Sequence, residues 1–251
     1  MTSFAPAIRK YHRAALAAVL CTGLGLGLAA CAGDDPDKGT NGIGKLSASE
    51  VEQKARTAAD SADAVRLAGT LVSKGGTYKL NMRLKAAGGA GSVTSRKSTF
   101  ELLRIGDDLF LRAGADFWNP AGGSTASDGA AADKLQGKYV KVPEDDPTYK
   151  QLRGFTDKKV LLDGLLTLHG EVGKGARDTI ADVRTIQVVG GKGEGGALDV
   201  SLEGEPYPLR VARGGGGGTV TLADWGHDFT LTAPTEAETV DYGGQLPKSE
   251  D

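Results

Sequence analysis

Tyr78-Lys79-Leu80-Asn81-Met82-Arg83-Leu84-Lys85 is the stretch whose reading decides the fold. Aromatic or aliphatic residues alternate with polar ones at a period of two. That period places one set of side chains on each face of a strand, one face buried and one wet. Upstream, Val65, Leu67, Gly69 and Leu71 keep the same period. Downstream, residues 100–105 and 109–112 flank Gly106-Asp107-Asp108, a turn suited to a hairpin. Residues 138–142 predict a further strand, stopped by Pro143.

Helical signals interrupt this pattern twice. Ser47-Ala48-Ser49-Glu50 has capping-box spacing, and Val51, Ala55, Ala58 and Ala62 follow on one weakly apolar face, which predicts a helix to about residue 62. Glu144-Asp145-Asp146-Pro147 reads as a second helix start. The region to residue 168 predicts one or two helices, broken or bent around Gly154. Within it Val160, Leu161, Leu162, Leu165, Leu166 and Leu168 cover more than a narrow stripe, so this helix requires burial on several sides.

From Asp178 onward the chain returns to strands, at 179–189, 196–202, 207–212, 219–222 and 229–232. The connections carry turn residues: Gly190-Gly191-Lys192-Gly193, Gly204-Glu205-Pro206 and the glycine run 214–218. Strands, then helices, then a meander of strands is an α+β order dominated by antiparallel sheet.

The N-terminus has a different character. Arg9, Lys10 and Arg13 precede an uncharged stretch, 14–30, of mostly Ala, Leu, Val and Gly, the composition of an exported leader. It is too short and glycine-broken for a membrane span. Leu28-Ala29-Ala30-Cys31 is similar to the bacterial lipobox, which implies acylation at Cys31 and a mature chain that starts there. Ala30-Cys31-Ala32 also fits ordinary signal cleavage, and an uncleaved signal anchor is a third reading. Leu20 is too large for the small position before Cys21, which sets that cysteine aside. Two acyl chains contribute on the order of 20 kcal/mol of membrane affinity, so the anchor needs no basic surface beside it.

The expected organisation is therefore a lipoprotein signal peptide at 1–30, a flexible Gly/Asp/Pro-rich tether at 31–46 and one domain at 47–251. A tether of that length reaches about 20 Å. Three of the 30 basic residues and none of the 32 acidic ones lie in the leader, so the mature chain is acidic. That argues against nucleic acid and against a polybasic lipid-headgroup patch. With Cys21 in the leader and Cys31 acylated, no cysteine remains for a disulfide, a nucleophile or a metal site.

Catalytic chemistry is not signalled. His169 and His227 lie in different kinds of segment without HExxH spacing, and no GxSxG elbow occurs. Asp34, Asp35 and Asp37 lack the spaced ligands of a calcium loop. The 214–218 glycine run lacks the Lys-Ser/Thr of a phosphate loop and suits a hairpin connection. Trp118 and Trp225 suit a core edge, a cavity mouth or a membrane interface. No metal, cofactor or enzymatic activity is expected.

Taken in order, several motifs resemble the actinobacterial LppX/LprG lipoprotein family, itself similar in fold to periplasmic lipoprotein carriers of the LolA type. They are the lipobox at Cys31, the strand from Tyr78 to Leu84, and Asp107-Asp108-Leu109-Phe110-Leu111-Arg112. Gly137-Lys138-Tyr139-Val140-Lys141-Val142-Pro143, Glu205-Pro206-Tyr207-Pro208-Leu209-Arg210-Val211 and Ala233-Pro234 continue the series. The resemblance spans about residues 47 to 242. The glycine run 214–218 and the loop 119–132 depart from it.

The resemblance implies a strongly curved antiparallel sheet, a half-barrel with helices packed in its concave face, and an apolar cavity that takes lipid acyl chains. The expected lining is Tyr78, Leu80, Met82, Leu84, Phe100 and Leu102 on the sheet, with Leu161, Leu165 and Leu168 on the helix. Each of these side chains also suits an ordinary packed core. The implied function is a membrane-anchored lipoprotein on the extracytoplasmic face of the cell membrane. It would bind lipid and carry it through the envelope. The alternative is an envelope interaction or sensing module of the same fold, with a protein partner and no lipid cargo.

Overall fold

The computed structural model describes residues 35–73, 76–96, 98–118 and 134–240. Met1–Pro36 and Asp37–Asp251 form two units, and every element described belongs to the second. The expected leader, Cys31 and the loop 119–132 lie outside the described residues.

Twelve strands form one sheet: β1 Ala64–Ser73, β2 Gly76–Lys85, β3 Gly88–Thr94, β4 Thr99–Ile105, β5 Asp108–Ala113, β6 Tyr139–Val142, β7 Val172–Ile180, β8 Val183–Gly190, β9 Ala197–Ser201, β10 Pro208–Ala212, β11 Thr219–Ala223 and β12 Thr239–Val240. Their order is β12-β6-β5-β4-β3-β2-β1-β11-β10-β9-β8-β7. All neighbours are antiparallel except β12, which joins β6 in parallel. Two meanders, β1 to β6 and β7 to β11, thus meet where β1 pairs β11. The sheet is curved and unclosed, and the fold is the expected α+β half-barrel.

Helices accompany it: α1 Ala48–Ser61, the single turn α2 Ala115–Trp118, α3 Tyr149–Thr156 and α4 Lys158–Leu166. The capping box of α1 forms as read. Ser47 Oγ accepts from the Glu50 amide, and the Glu50 carboxylate accepts from the Ser47 amide at 2.9 Å. The Ser47 hydroxyl, hydrogen-bonded to the same carboxylate, contributes most to holding it below the usual glutamate range. Val51, Ala55, Ala58, Ala59 and Ala62 are buried, so the small side chains let α1 lie close to β7 through β10. On the other half, α3 covers β2, β3 and β4, and α4 packs against both α3 and α1.

Curvature has a local cause. Gly69 and Gly91 sit at inward positions of β1 and β3 with φ of 154° and 156°. A Cβ on Gly69 would lie 2.2 Å from the Thr219 carbonyl oxygen, and one on Gly91 would lie 2.1 Å from the Asn81 carbonyl oxygen. Only glycine permits that backbone and that approach, so both positions let adjacent strands coil sharply.

The structure departs from the sequence reading at several places. β3 was not anticipated, because GGAGSVT has too few side chains to show a period. Residues 179–189 are not one strand but the ends of β7 and β8, joined by Ala181-Asp182 with φ of 48° and 64°. That is the two-residue hairpin geometry, made without its usual glycine or asparagine. The helical region breaks at Asp157, not Gly154. Asp157 ends α3 and its carboxylate accepts from the Val160 amide to start α4. The glycine run does form a hairpin connection, with the Arg213 amide donating to the Gly218 carbonyl at 2.9 Å.

Two segments outside the sheet are fastened to it. Within the expected tether, residues 37–46 pack on the domain: Ile43 is buried, the Asn41 amide donates to the Leu202 carbonyl, and Arg177 pairs with Asp37 at 2.7 Å. At the other end, residues 229–232 form no strand but belong to a strap from β11 to β12. Lys85 holds it through Asp228 at 2.8 Å and the Phe229 carbonyl at 2.6 Å, and Lys138 donates to the Ala237 carbonyl at 2.8 Å.

Gly91→Ala is expected to destabilise by more than about 1 kcal/mol, since the new Cβ meets backbone at a positive φ. Gly154→Ala, in the open interior of α3, is expected to stabilise by about 0.5–1 kcal/mol. Urea unfolding of both variants beside the parent checks the pair of opposite signs.

Candidate functional site

Register brings the expected lining residues of the sheet onto one face. Leu80 lies between Gly69 and Val93, Met82 between Leu67 and Gly91, and Leu84 between Val65 and Gly89. Phe100 faces Val93 and Ala113, and Leu102 faces Gly91 and Leu111. These residues and Leu161 and Leu165 of α4 are buried in a single apolar cluster between the sheet and the helices. Tyr78 and Leu168 are half-buried at its margin.

Sequence reading missed part of this cluster. Phe155 of α3 meets Tyr78 with ring centroids 5.7 Å apart. Phe117 of α2 lies 5.4 Å from Phe100 and 5.0 Å from Trp118. Trp118 is buried and belongs to the cluster, whereas Trp225 stacks on Tyr207 at 5.0 Å and donates to the Pro208 carbonyl at 3.1 Å. For Phe155 the signal was its place three residues after Leu152, on one helical face.

The helices are fastened around this apolar surface by polar contacts at their ends, one of them from the Tyr149 hydroxyl to the Asp107 carbonyl at 2.7 Å and the others at the junction of α3 and α4. Arg104 points inward beside Leu102 and is buried. Its guanidinium donates to the Thr156 carbonyl at 3.0 Å and to the Thr156 hydroxyl at 3.2 Å, closing the C-terminus of α3. Two residues on, buried Lys158 donates to the carbonyls of Ala59 at 3.0 Å, Asp60 at 3.1 Å and Ala62, closing the C-terminus of α1. Burial pushes the Lys158 ammonium below the usual lysine pKa, with Asp60 and Asp63 acting against that shift. Elsewhere on the sheet-facing side of α3 and α4 the buried residues are mainly apolar.

His169 and His227 are both exposed, one after α4 and one in the turn that follows β11. Among the described residues no group of three His, Cys, Asp or Glu side chains is placed to hold a metal. Among the same residues no helix is long and apolar enough to cross a membrane.

The fold is similar to that of LprF from Mycobacterium bovis, whose crystal structure superposes with a TM-score of 0.51 at 15% sequence identity. The match covers 74% of this chain and 96% of that one. Lipoprotein LppX from Mycobacterium tuberculosis matches with a TM-score of 0.45 and 10% identity, over 74% of this chain and 98% of that one. No family model and no curated protein sequence matches the chain. At 15% identity the likeness to LprF establishes the fold.

Lys158→Met keeps the stem and removes all three carbonyl contacts, and is expected to cost about 2–3 kcal/mol. Lys159→Met removes only an exposed pair with Asp163 and is expected to leave stability nearly unchanged. Equilibrium unfolding in urea separates the two.

Proposed function

We propose that this chain is an extracytoplasmic lipoprotein, anchored through acylated Cys31, that holds lipid acyl chains between the concave face of its sheet and helices α3 and α4. The observation that carries this reading is how the helices are attached. Their contact with the inner face is mainly apolar, and the polar fastenings sit at the helix ends, at Arg104, at Lys158 and at Tyr149, whose hydroxyl donates to the Asp107 carbonyl at 2.7 Å. An interface of this kind parts without stranding buried polar groups along its length, and an acyl chain replaces the lost contacts in kind. The fold shared with LprF supports the same reading.

In this scheme Leu80, Met82, Leu84 and Leu102 form the floor of the site, Leu161 and Leu165 its roof, and Tyr78, Phe100 and Leu168 its margins. Binding is hydrophobic transfer and involves no catalysis. Residues 37–46 pack on the domain, so an anchor at Cys31 holds the site close to the bilayer that supplies it.

The test uses the full chain carrying Cys31→Ser, extracted with organic solvent and analysed by mass spectrometry for co-purifying lipid, then titrated with a fluorescent fatty acid. Saturable binding is expected. Leu102→Trp and Leu165→Trp, which fill the space, are expected to weaken it about tenfold, equivalent to about 1.4 kcal/mol, in variants whose circular dichroism is unchanged. An extract without lipid, together with no saturable uptake of fatty acid, rejects the proposal.

A further inference from the structure

The outer face of the sheet carries a second, polar feature. Arg66 of β1 and Arg83 of β2 are direct cross-strand partners and share that face with Asn81 and Ala90. Like charges placed opposite each other destabilise a sheet. Elsewhere on this face the outward arginines are neutralised in register. Arg112 meets Glu101, with Nε at 2.9 Å, and Arg210 meets Asp199 at 2.7 Å. At Arg66 and Arg83 the carboxylate is replaced by a second guanidinium.

The two arginines border a depression of about 520 Å³ lined also by Asn81, Ala90, Gly91 and Asp224. That volume lies within the range of roughly 300–1,000 Å³ for small-molecule sites. Ala90, the outward partner of Arg83 on β3, leaves room there because its side chain is a single methyl. Phe229 of the strap holds the Arg83 guanidinium 5.0 Å from its ring centroid, a face contact that leaves the in-plane N–H donors free. Cross-strand partners have Cβ atoms about 5 Å apart, so two guanidinium forks converge on one tetrahedral anion, with the Asn81 amide as a further donor. Asp224 opposes such a ligand, yet two positive charges against one leave the depression cationic.

We infer that this depression is a binding site for a phosphate ester, gripped by Arg66 and Arg83. It lies on the opposite side of the sheet from the apolar cluster, so it stands or falls separately from the lipid-binding reading. The phosphate belongs either to a soluble ester or to a lipid headgroup.

The experiment titrates the full chain with inorganic phosphate and with glycerol 3-phosphate by calorimetry at low ionic strength, where exposed charges are least screened. Saturable binding is expected. Arg66→Ala and Arg83→Ala each weaken it about tenfold, Arg66→Lys weakens it less, and Asp224→Asn tightens it. Lys54→Ala with Lys150→Ala, which removes as much charge as Arg66→Ala with Arg83→Ala but away from the depression, leaves affinity unchanged. Flotation with phosphatidylcholine vesicles, with and without phosphatidylglycerol, separates the sources. Recruitment by phosphatidylglycerol that is lost in the double arginine variant assigns a headgroup, and soluble binding without it assigns a free ester. Absence of binding to every probe, or affinity indifferent to both arginines, overturns the site.

Discussion

Thr156, Asp157 and Lys158 close the ends of three helices within three residues, and the concave side of the domain depends on them. The Thr156 carbonyl receives Arg104 from the sheet, Asp157 starts α4, and Lys158 reaches the last carbonyls of α1. Helix termini leave backbone groups that burial makes costly unless they find partners. Here one junction satisfies three termini at once and ties α1, over β7 to β10, to α3, over β2 to β4, and to α4 between them. The rest of the interior can then be apolar and still be held in place.

An open sheet of twelve strands must also manage its two edges. At one edge β12 contributes only two residues and is delivered by the strap. At the other, β7 is largely exposed, carries Lys174, Arg177 and Asp178, and breaks register between Lys174 and Arg177. Lys174 donates to the Gly44 carbonyl and Arg177 pairs with Asp37, so the segment preceding α1 lies against this strand. Short length, charge, a bulge and cover thus replace barrel closure as protection against edge pairing.

How much of this was legible depended on whether a side chain carried the pattern. β2 and β1 were readable because each inward apolar residue is flanked by polar ones, and α1 because its capping box is local. β3 was invisible because its inward positions include Gly89 and Gly91, where the fold needs space: a Cβ on Gly89 would meet the Thr156 carbonyl at 2.9 Å. Arg104 and Lys158 were not singled out, although the period of β4 turns Arg104 to the same side as Leu102. The pairing of Arg66 with Arg83 could not be seen before the register of β1 and β2 was known. The lining residues were found as a face, because alternation defines a face. Alternation says nothing of which helix covers it, and so Phe155 was missed.

The seam between β1 and β11 bears on how the molecule assembles. Arg66 pairs with Ala223 and Leu67 with Leu222, partners separated by more than half the chain. During synthesis the β1 to β6 meander is complete long before β11 exists, and until then β1 is an unpaired edge. Its inner face waits for α3 and α4, and the β6 edge waits for residues 239–240. Non-local pairing of this kind slows folding and prolongs exposure of strand edges. The nascent half-sheet is therefore the aggregation-prone stage in the life of this protein, and rapid emergence of the second meander ends it.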